Sequence, residues 1–471
     1  MVAAYVLLAA ATYLAFLLVR WNTPLLHRLA LSSVAVLDGM LSDAEEEDKL
    51  QALESATGSL LRNLASFLGL FLMAGLLVGA SLKWGQESGP MLLFSWQGIL
   101  AVSLGGTAAL FLPKSLPGQP AVSKGAGGAQ HSPLDQLLHR MLLDHPSVHK
   151  LLMQREIKAW KKRGGTAQPS FLWVTGLARS GTTSMLERLV ASGSFQSLHY
   201  GNMPMVMAPG LWRRFHRPKL GEKRERSHGD GIMVGLDSAE ALEEVFFQAL
   251  TDRSYVTNNG LKAHELCKEQ HQSYLDYQGI TLAASERPEA MYVAKNNNAL
   301  LRCASLRQHN PHFHVVLMFR EPLTHAASLQ AMHRKYCDLQ QGDPFVTEYM
   351  DWLAHHEFGL HHKPFLFPSS TGPVDSTDPA NDLAYWLDLW INHYREALSL
   401  DPHNVHFVSY ESYCAAPSDV LGKLGDSIRP GTIFPSYTPY TKVREVDGEV
   451  PPERKAIAEE IYQSLLEREG A

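Results

Sequence analysis

The chain opens on an apolar run, Val2 to Val19, closed by Arg20. At about 1.5 Å per residue, this is near the length that crosses a hydrocarbon core of ~30 Å. Two more apolar runs, Ser66 to Leu82 and Met91 to Leu112, flank the polar turn Lys83 to Glu87, with Trp84 and Trp96 suited to an interfacial belt. No basic residue precedes the first run and no small-residue cleavage site follows Arg20-Trp21, which argues against a signal peptide. The pattern predicts a membrane region over 1–113 with about three transmembrane helices, at 2–20, 66–82 and 91–112. Residues 114–133, rich in Pro, Gly, Ser and Ala, read as a flexible linker. A helical lead-in over 134–169 follows, with Leu137, Leu138, Met141 and Leu142 at helical spacing and Gly164-Gly165 closing the helix. From Phe171 onward, short apolar runs with the look of buried strands alternate with helical patterns. That alternation predicts an α/β domain over 170–471 with a central, mostly parallel sheet.

Lysine and arginine in the short loops set the expected orientation. Arg20, Arg28, Lys49 and Arg62 lie in the first loop, against Lys83 alone in the second; Lys114, Lys124 and the basic stretch Arg155 to Arg163 follow the third run. The first loop and the C-terminal domain are therefore expected on the cytoplasmic side. The acidic segment Asp43 to Asp48 reads as a solvated helix start, because contiguous carboxylates converge poorly on one ion. Over 471 residues the net charge is −6, so no basic field supports a nucleic-acid partner. Cys267, Cys303, Cys337 and Cys414 lie far apart with no CxxC spacing, which argues against a disulfide framework or structural zinc and suits a reducing compartment.

The candidate chemistry begins after the first strand run, Phe171 to Gly176. Leu177 to Thr183 forms a glycine-flanked turn, and Ser184 to Val190 reads as a helix ended at Gly193. Strand, turn and helix N-terminus make an anion site, because free backbone N–H groups and the positive dipole end point at the ligand. Gly176 and Gly181 have the spacing of a nucleotide-binding P-loop, but the lysine position holds Thr182 and the cation, Arg179, sits inside the turn. A P-loop kinase needs that lysine on its β- and γ-phosphates. Arg179-Ser180-Gly181-Thr182-Thr183 instead resembles the 5′-phosphosulfate loop, [KR]-S-G-T-T, of the sulfotransferase superfamily, whose donor is 3′-phosphoadenosine 5′-phosphosulfate (PAPS).

A second motif follows another strand run, His314 to Phe319. Arg320-Glu321-Pro322 leads into a helix that carries Ser328 eight residues after Arg320. The spacing resembles the superfamily's 3′-phosphate motif, R-[NDE]-P-x-x-x-x-x-S. An arginine at a strand's C-terminal end and a helical serine can converge on one phosphate. Val405 to Glu411 with Pro417 resembles a late strand of the family with a structural role, and Met203 to Trp212 resembles the M-P-x-x-x-A-P-x-x-W segment of membrane-anchored bacterial-type members. The resemblance spans roughly residues 170–465. It implies a P-loop-like three-layer fold, donor contacts from Ser180, Gly181, Thr182 and Thr183, Arg179 near the bridging oxygen, PAPS as donor and no metal.

Sulfonyl transfer needs a base for the acceptor's proton and cations for the donor's developing charge. Relatives carry a Glu or His about twenty residues past the loop cation; that position is His199, and imidazole suits the task near neutral pH. His228 with Asp230, and Glu243 with Glu244, are the competing candidates, with family precedent for a glutamate favouring Glu244. Lys295, before Asn296-Asn297-Asn298, matches a family lysine that holds the sulfonate. Lys442 and Arg444 follow a loop where relatives wrap the nucleotide, but the R-K-x-G element is absent. In His355 to His362, His356 and His361 are five apart with Gly359 between, which does not fit a zinc-protease helix; this stretch is expected to shape the acceptor site. The expectation is a membrane-anchored, PAPS-dependent sulfotransferase acting on a glycolipid, lipid or glycan. The alternatives are a non-catalytic nucleotide-binding membrane scaffold or a P-loop kinase.

Overall fold

The computed structural model describes residues 2–22, 46–84, 95–111, 146–215, 241–370, 376–436 and 448–470, with short pieces between them. The chain divides into two compact units, Met1–Met141 and Leu142–Ala471. The expected linker 114–133 lies outside the described residues.

The first unit contains α1 (Val2–Trp21), α2 (Glu46–Trp84) and α3 (Trp96–Phe111), with α1 packed on both others. Gly105 of α3 permits close approach, since a Cβ there would lie 2.3 Å from the Ala9 carbonyl oxygen of α1. Among the described residues, one helix is long and apolar enough to cross a membrane: Leu53–Ser81 within α2, 29 residues of mean hydropathy 2.1. The expected span at 66–82 is the second half of that segment. Its first half carries Glu54 and Arg62, which interrupt the apolar pattern without ending the helix. Ala4–Val19 of α1 is a shorter apolar helix.

The second unit begins with α4 (Pro146–Lys162), β1 (Leu172–Thr175), α5 (Thr182–Ala191), β2 (Phe195–Gln196), α6 (Pro209–Phe215), β3 (Arg224–Glu225) and β4 (Met233–Val234). It continues through α7 (Glu244–Leu250), β5 (Leu261–Lys262), α8 (Lys268–Ala284), β6 (Met291–Lys295), α9 (Cys303–His309), β7 (His314–Phe319), α10 (Pro322–Gly342), α11 (Pro344–Trp352) and β8 (Phe365–Leu366). The last elements are α12 (Leu383–Leu398), β9 (Val405–Ser409), α13 (Tyr410–Ala415), α14 (Pro417–Ile428) and α15 (Pro452–Gly470).

The main sheet has five strands in the order β2-β6-β1-β7-β9, with every neighbouring pair parallel. β1 is buried along its whole length, as a strand covered on both faces must be, and its residues alternate between two cores. Phe171, Trp173, Val315, Leu317 and Phe319 face one core with Tyr274 of α8, Trp386 and Trp390 of α12 and Leu465 of α15. Leu172, Val174, Val316 and Met318 face the other with Met185, Leu186 and Leu189 of α5 and Leu421 and Leu424 of α14. The result is helix, sheet, helix. Each fully buried large apolar side chain in these layers contributes roughly 1.5–3 kcal/mol. Pairing Val174 with both Lys295 and Val316 ends β1, β6 and β7 along one edge. In a parallel sheet, that carboxyl edge is where ligands bind.

Candidate functional site

The turn after β1 is shaped by its two glycines. Gly176 has φ +140° and a Cβ there would lie 2.2 Å from the Met318 carbonyl oxygen; Gly181 has φ +97° and a Cβ would lie 2.9 Å from the Tyr410 ring. Arg179 holds φ +76°, a left-handed conformation that costs a non-glycine residue about 1–3 kcal/mol and marks a functional turn. Ser180 is buried and its hydroxyl donates to the Leu177 carbonyl at 2.7 Å. Its side chain therefore closes the turn from within. No side chain caps the N-terminus of α5, where Thr182 and Thr183 stand buried in the first turn. The N-terminus of α10 is different, because Glu321 accepts from Leu323 N at 3.1 Å and Thr324 N at 2.7 Å, with Pro322 in the first turn. One helix start is satisfied by its own chain; the other presents its donors.

The two motifs meet. Arg179 Nε donates to Ser328 Oγ at 3.4 Å across 149 residues of sequence. Arg320 is 8% exposed, its guanidinium lies 4.6 Å from the Tyr410 ring centroid, and its Nε makes no hydrogen bond to a described residue. No carboxylate of the described residues pairs with it within 4.0 Å, although Glu411 lies near enough to feel its charge. The Arg320 backbone is pinned by Trp390 Nε1, which donates to its carbonyl at 3.2 Å, and Glu411 accepts from Glu321 N at 3.2 Å.

Two supporting residues carry no signal in the motifs. His325 Nε2 donates to the Ala178 carbonyl at 2.8 Å and ties α10 to the turn. Burial pushes His325 down to about 3, which keeps it neutral with the proton on Nε2. Its place one helical turn before Ser328 is the sequence signal that could have found it. Tyr410 packs against Gly181 and beneath Arg320, so the late Tyr-Glu pair touches both motifs.

One strand over, a small cavity opens at the end of β6. Glu244, Lys295, Asn297, Asn298, His355 and Glu357 line it. Both oxygens of Glu244 are engaged: Arg302 donates at 2.6 and 2.9 Å, Tyr255 at 2.5 Å and Asn296 at 2.9 Å. Burial opposes its charge, but Arg302 and these bonds outweigh it and hold the carboxyl below its ordinary range. Glu243 points inward to Trp173, Tyr274, Tyr292 and Asn296, and burial pushes it up to about 7. At Glu357 burial also opposes the charge, yet nearby His355, the bond from Asn297 and Lys295 hold its carboxyl low. Glu357 Oε1 accepts from Asn297 Nδ2 at 2.8 Å, and the residue's own backbone N–H also favours the charged form.

His199 follows β2, where its N–H donates to Asn202 Oδ1 at 2.8 Å and it bridges to Ala239; it does not line this cavity. His228, Asp230, Lys442 and Arg444 lie outside the described residues. The histidines of 355–362 turn to separate partners: His356 to the His361 carbonyl, His361 to Asp351 and His362 to Tyr385. Among the described residues no group of three or more His, Cys, Asp or Glu side chains is placed to hold a metal ion.

No protein-family model matches the chain, and no curated protein matches it. Among solved structures it is similar to the sulfotransferase STF1 from Mycobacterium tuberculosis H37Rv, with 16% identity over 73% of this chain and 88% of that one and a TM-score of 0.38. It is also similar to STF9 from Mycobacterium avium (11% identity, 70% and 76% covered, TM-score 0.34). A sulfotransferase from Alicyclobacillus acidocaldarius matches with 12% identity, 64% and 95% covered, and a TM-score of 0.30. Likenesses this distant leave the activity to be argued from the residues.

Proposed function

We propose that the chain is a membrane-anchored sulfotransferase that moves a sulfonate from PAPS to a hydroxyl acceptor. The observation that carries this reading is the 3.4 Å contact between Arg179 and Ser328, which joins two phosphate motifs into one anion site. The uncapped α5 N-terminus and Arg179 suit the 5′-phosphosulfate, and Arg320 with Ser328 suits a second phosphate, the 3′-phosphate that separates PAPS from ATP. In transfer, negative charge grows on the bridging oxygen as its bond to sulfur breaks. Preformed N–H groups and a fixed guanidinium stabilise that charge without reorganising. Lys295, at the adjacent strand end, is assigned to the sulfonate oxygens. A lipid, glycolipid or lipid-linked glycan is the acceptor class favoured by a membrane anchor, and the lysine and arginine bias favours a catalytic unit that faces the cytoplasm.

The test is calorimetric binding of 3′-phosphoadenosine 5′-phosphate to the full chain in nanodiscs, with ATP as control. Selective binding is expected, and Arg320→Ala should cost about 2–3 kcal/mol, roughly 30- to 150-fold in Kd. Equal affinity for ATP, or no effect of Arg320→Ala, would sink the donor assignment. Binding with no PAPS turnover would favour a nucleotide-binding scaffold.

A further inference from the structure

The cavity at the end of β6 has a chemistry that specifies what enters it. Asn297 and Asn298 are 6% and 3% exposed, both line the cavity, and the side-chain oxygen of each makes no hydrogen bond to a described residue. Their amide nitrogens are used, Asn297 Nδ2 on Glu357 and Asn298 Nδ2 on the Ala354 carbonyl at 3.1 Å. These bonds fix which end of each amide is the acceptor. Two buried acceptors and the Glu357 side chain therefore line one space. A buried acceptor left unpaired is costly, so the site calls for a ligand that donates hydrogen bonds.

Size and charge narrow the ligand. The enclosed part has room for about one water-sized group, too little for a ring. Lys295 beside Glu357 offsets the carboxylate's charge, so a neutral donor is favoured over an ammonium group. One hydroxyl fits that room, and the polar mouth made by Lys295, His355 and Glu357 favours further hydroxyls on the rest of its molecule over an alkyl or aryl group. Lys295, His355 and Glu357 keep part of their surface exposed, so the cavity opens outward. Asn296 N donates to the Val174 carbonyl at 2.9 Å, which fixes this pocket beside the strand that carries the phosphate turn.

The geometry points to this cavity as the acceptor pocket, taking an aliphatic hydroxyl of a polyhydroxylated, sugar-like acceptor, with Glu357 as the base that removes its proton. The inference rests on the sulfotransferase reading and names its acceptor class. The acceptor's O–H bond breaks and its proton passes to the Glu357 carboxylate. The acceptor oxygen forms a bond to the donor sulfur, and the bond from sulfur to the bridging phosphate oxygen breaks. Its electron pair leaves on 3′-phosphoadenosine 5′-phosphate, and Glu357 returns the proton to solvent. The products are a sulfate monoester, the nucleotide and one proton.

The test uses the full chain in nanodiscs with PAPS and five probes: the n-octyl glycosides of glucose, galactose and mannose, n-octanol, and 4-nitrophenol. Release of 3′-phosphoadenosine 5′-phosphate is the readout. At least one glycoside should raise release roughly 10-fold over octanol and nitrophenol. Glu357→Gln should cut that release about 100-fold or more while leaving nucleotide affinity within about 2-fold. Should Glu357→Gln fail to fold, Asn298→Ala serves instead, raising glycoside KM roughly 10-fold with little change in kcat. Preference for octanol or nitrophenol, retained turnover in Glu357→Gln, or sulfonation of no glycoside by a chain that binds the nucleotide would overturn the inference. So would an Asn298→Ala variant that loses stability with KM unchanged, since the cavity would then hold a structural water only. A chain that binds no nucleotide would overturn the donor reading itself.

Discussion

At the scale of single residues, Glu243 is the buried group with the clearest consequence. Burial raises it from 4.5 to about 7, against four donors that favour its charged form. A carboxyl whose folded pKa exceeds its unfolded value binds more protons when folded, so its stabilisation is complete below about 4.5 and is lost as pH rises toward 7. Glu243 alone should lower the unfolding free energy by on the order of 3 kcal/mol across that window. Chemical denaturation of wild type and Glu243→Gln between pH 4.5 and 8 checks this, with the variant's profile flatter by that amount. Parallel profiles would mean that the four donors keep Glu243 ionised throughout. Residue-scale legibility was uneven. Arg179, Arg320 and Ser328 were readable because motif spacing reports local backbone geometry. Glu357 was readable only as part of a histidine-rich loop, since its role depends on Asn297, sixty residues away.

At the scale of elements, the sheet was legible because a parallel strand buried on both faces is apolar through most of its length, as β1 and β7 are apart from Thr175 and His314. What no local pattern contains is which core each residue joins, or that α10 leans on the phosphate turn through His325. The Arg-Glu-Pro junction also has a division of labour that spacing alone leaves hidden. Arg320 packs on the Tyr410 ring, whereas Glu321 caps α10 and thereby sets where Arg320 and Ser328 stand. Glu321→Ala should destabilise the fold by about 1–2 kcal/mol, a typical loss for a cap. It should also weaken nucleotide binding, although Glu321 carries the wrong charge to touch a phosphate. Thermal unfolding and calorimetry on the same sample separate the two effects. Stability lost with affinity unchanged would show that Arg320 is held by Trp390 and Tyr410 without the cap.

At the scale of the whole molecule, the proposed donor chemistry depends on which side of a membrane the second unit occupies. The helix Leu53–Ser81 has the length and hydropathy of a span, and only 11% of its apolar window is buried within the protein. An apolar surface of that extent in water would be an aggregation site; in lipid it needs no other cover. The proposal sets the cationic residues that follow, from Arg155 to Arg163, on the cytoplasmic face, as the positive-inside rule favours. Cys267 makes this testable, because it is exposed, free and N-terminal to α8 in the second unit, whereas Cys303 is buried. In intact cells a membrane-impermeant maleimide should leave Cys267 unlabelled, and permeabilisation should expose it. A Cys267→Ser variant identifies the labelled thiol. Labelling before permeabilisation would place the phosphate turn outside the cytoplasm, where Arg320 and Ser328 would meet a different anion and the donor assignment would lose its compartment.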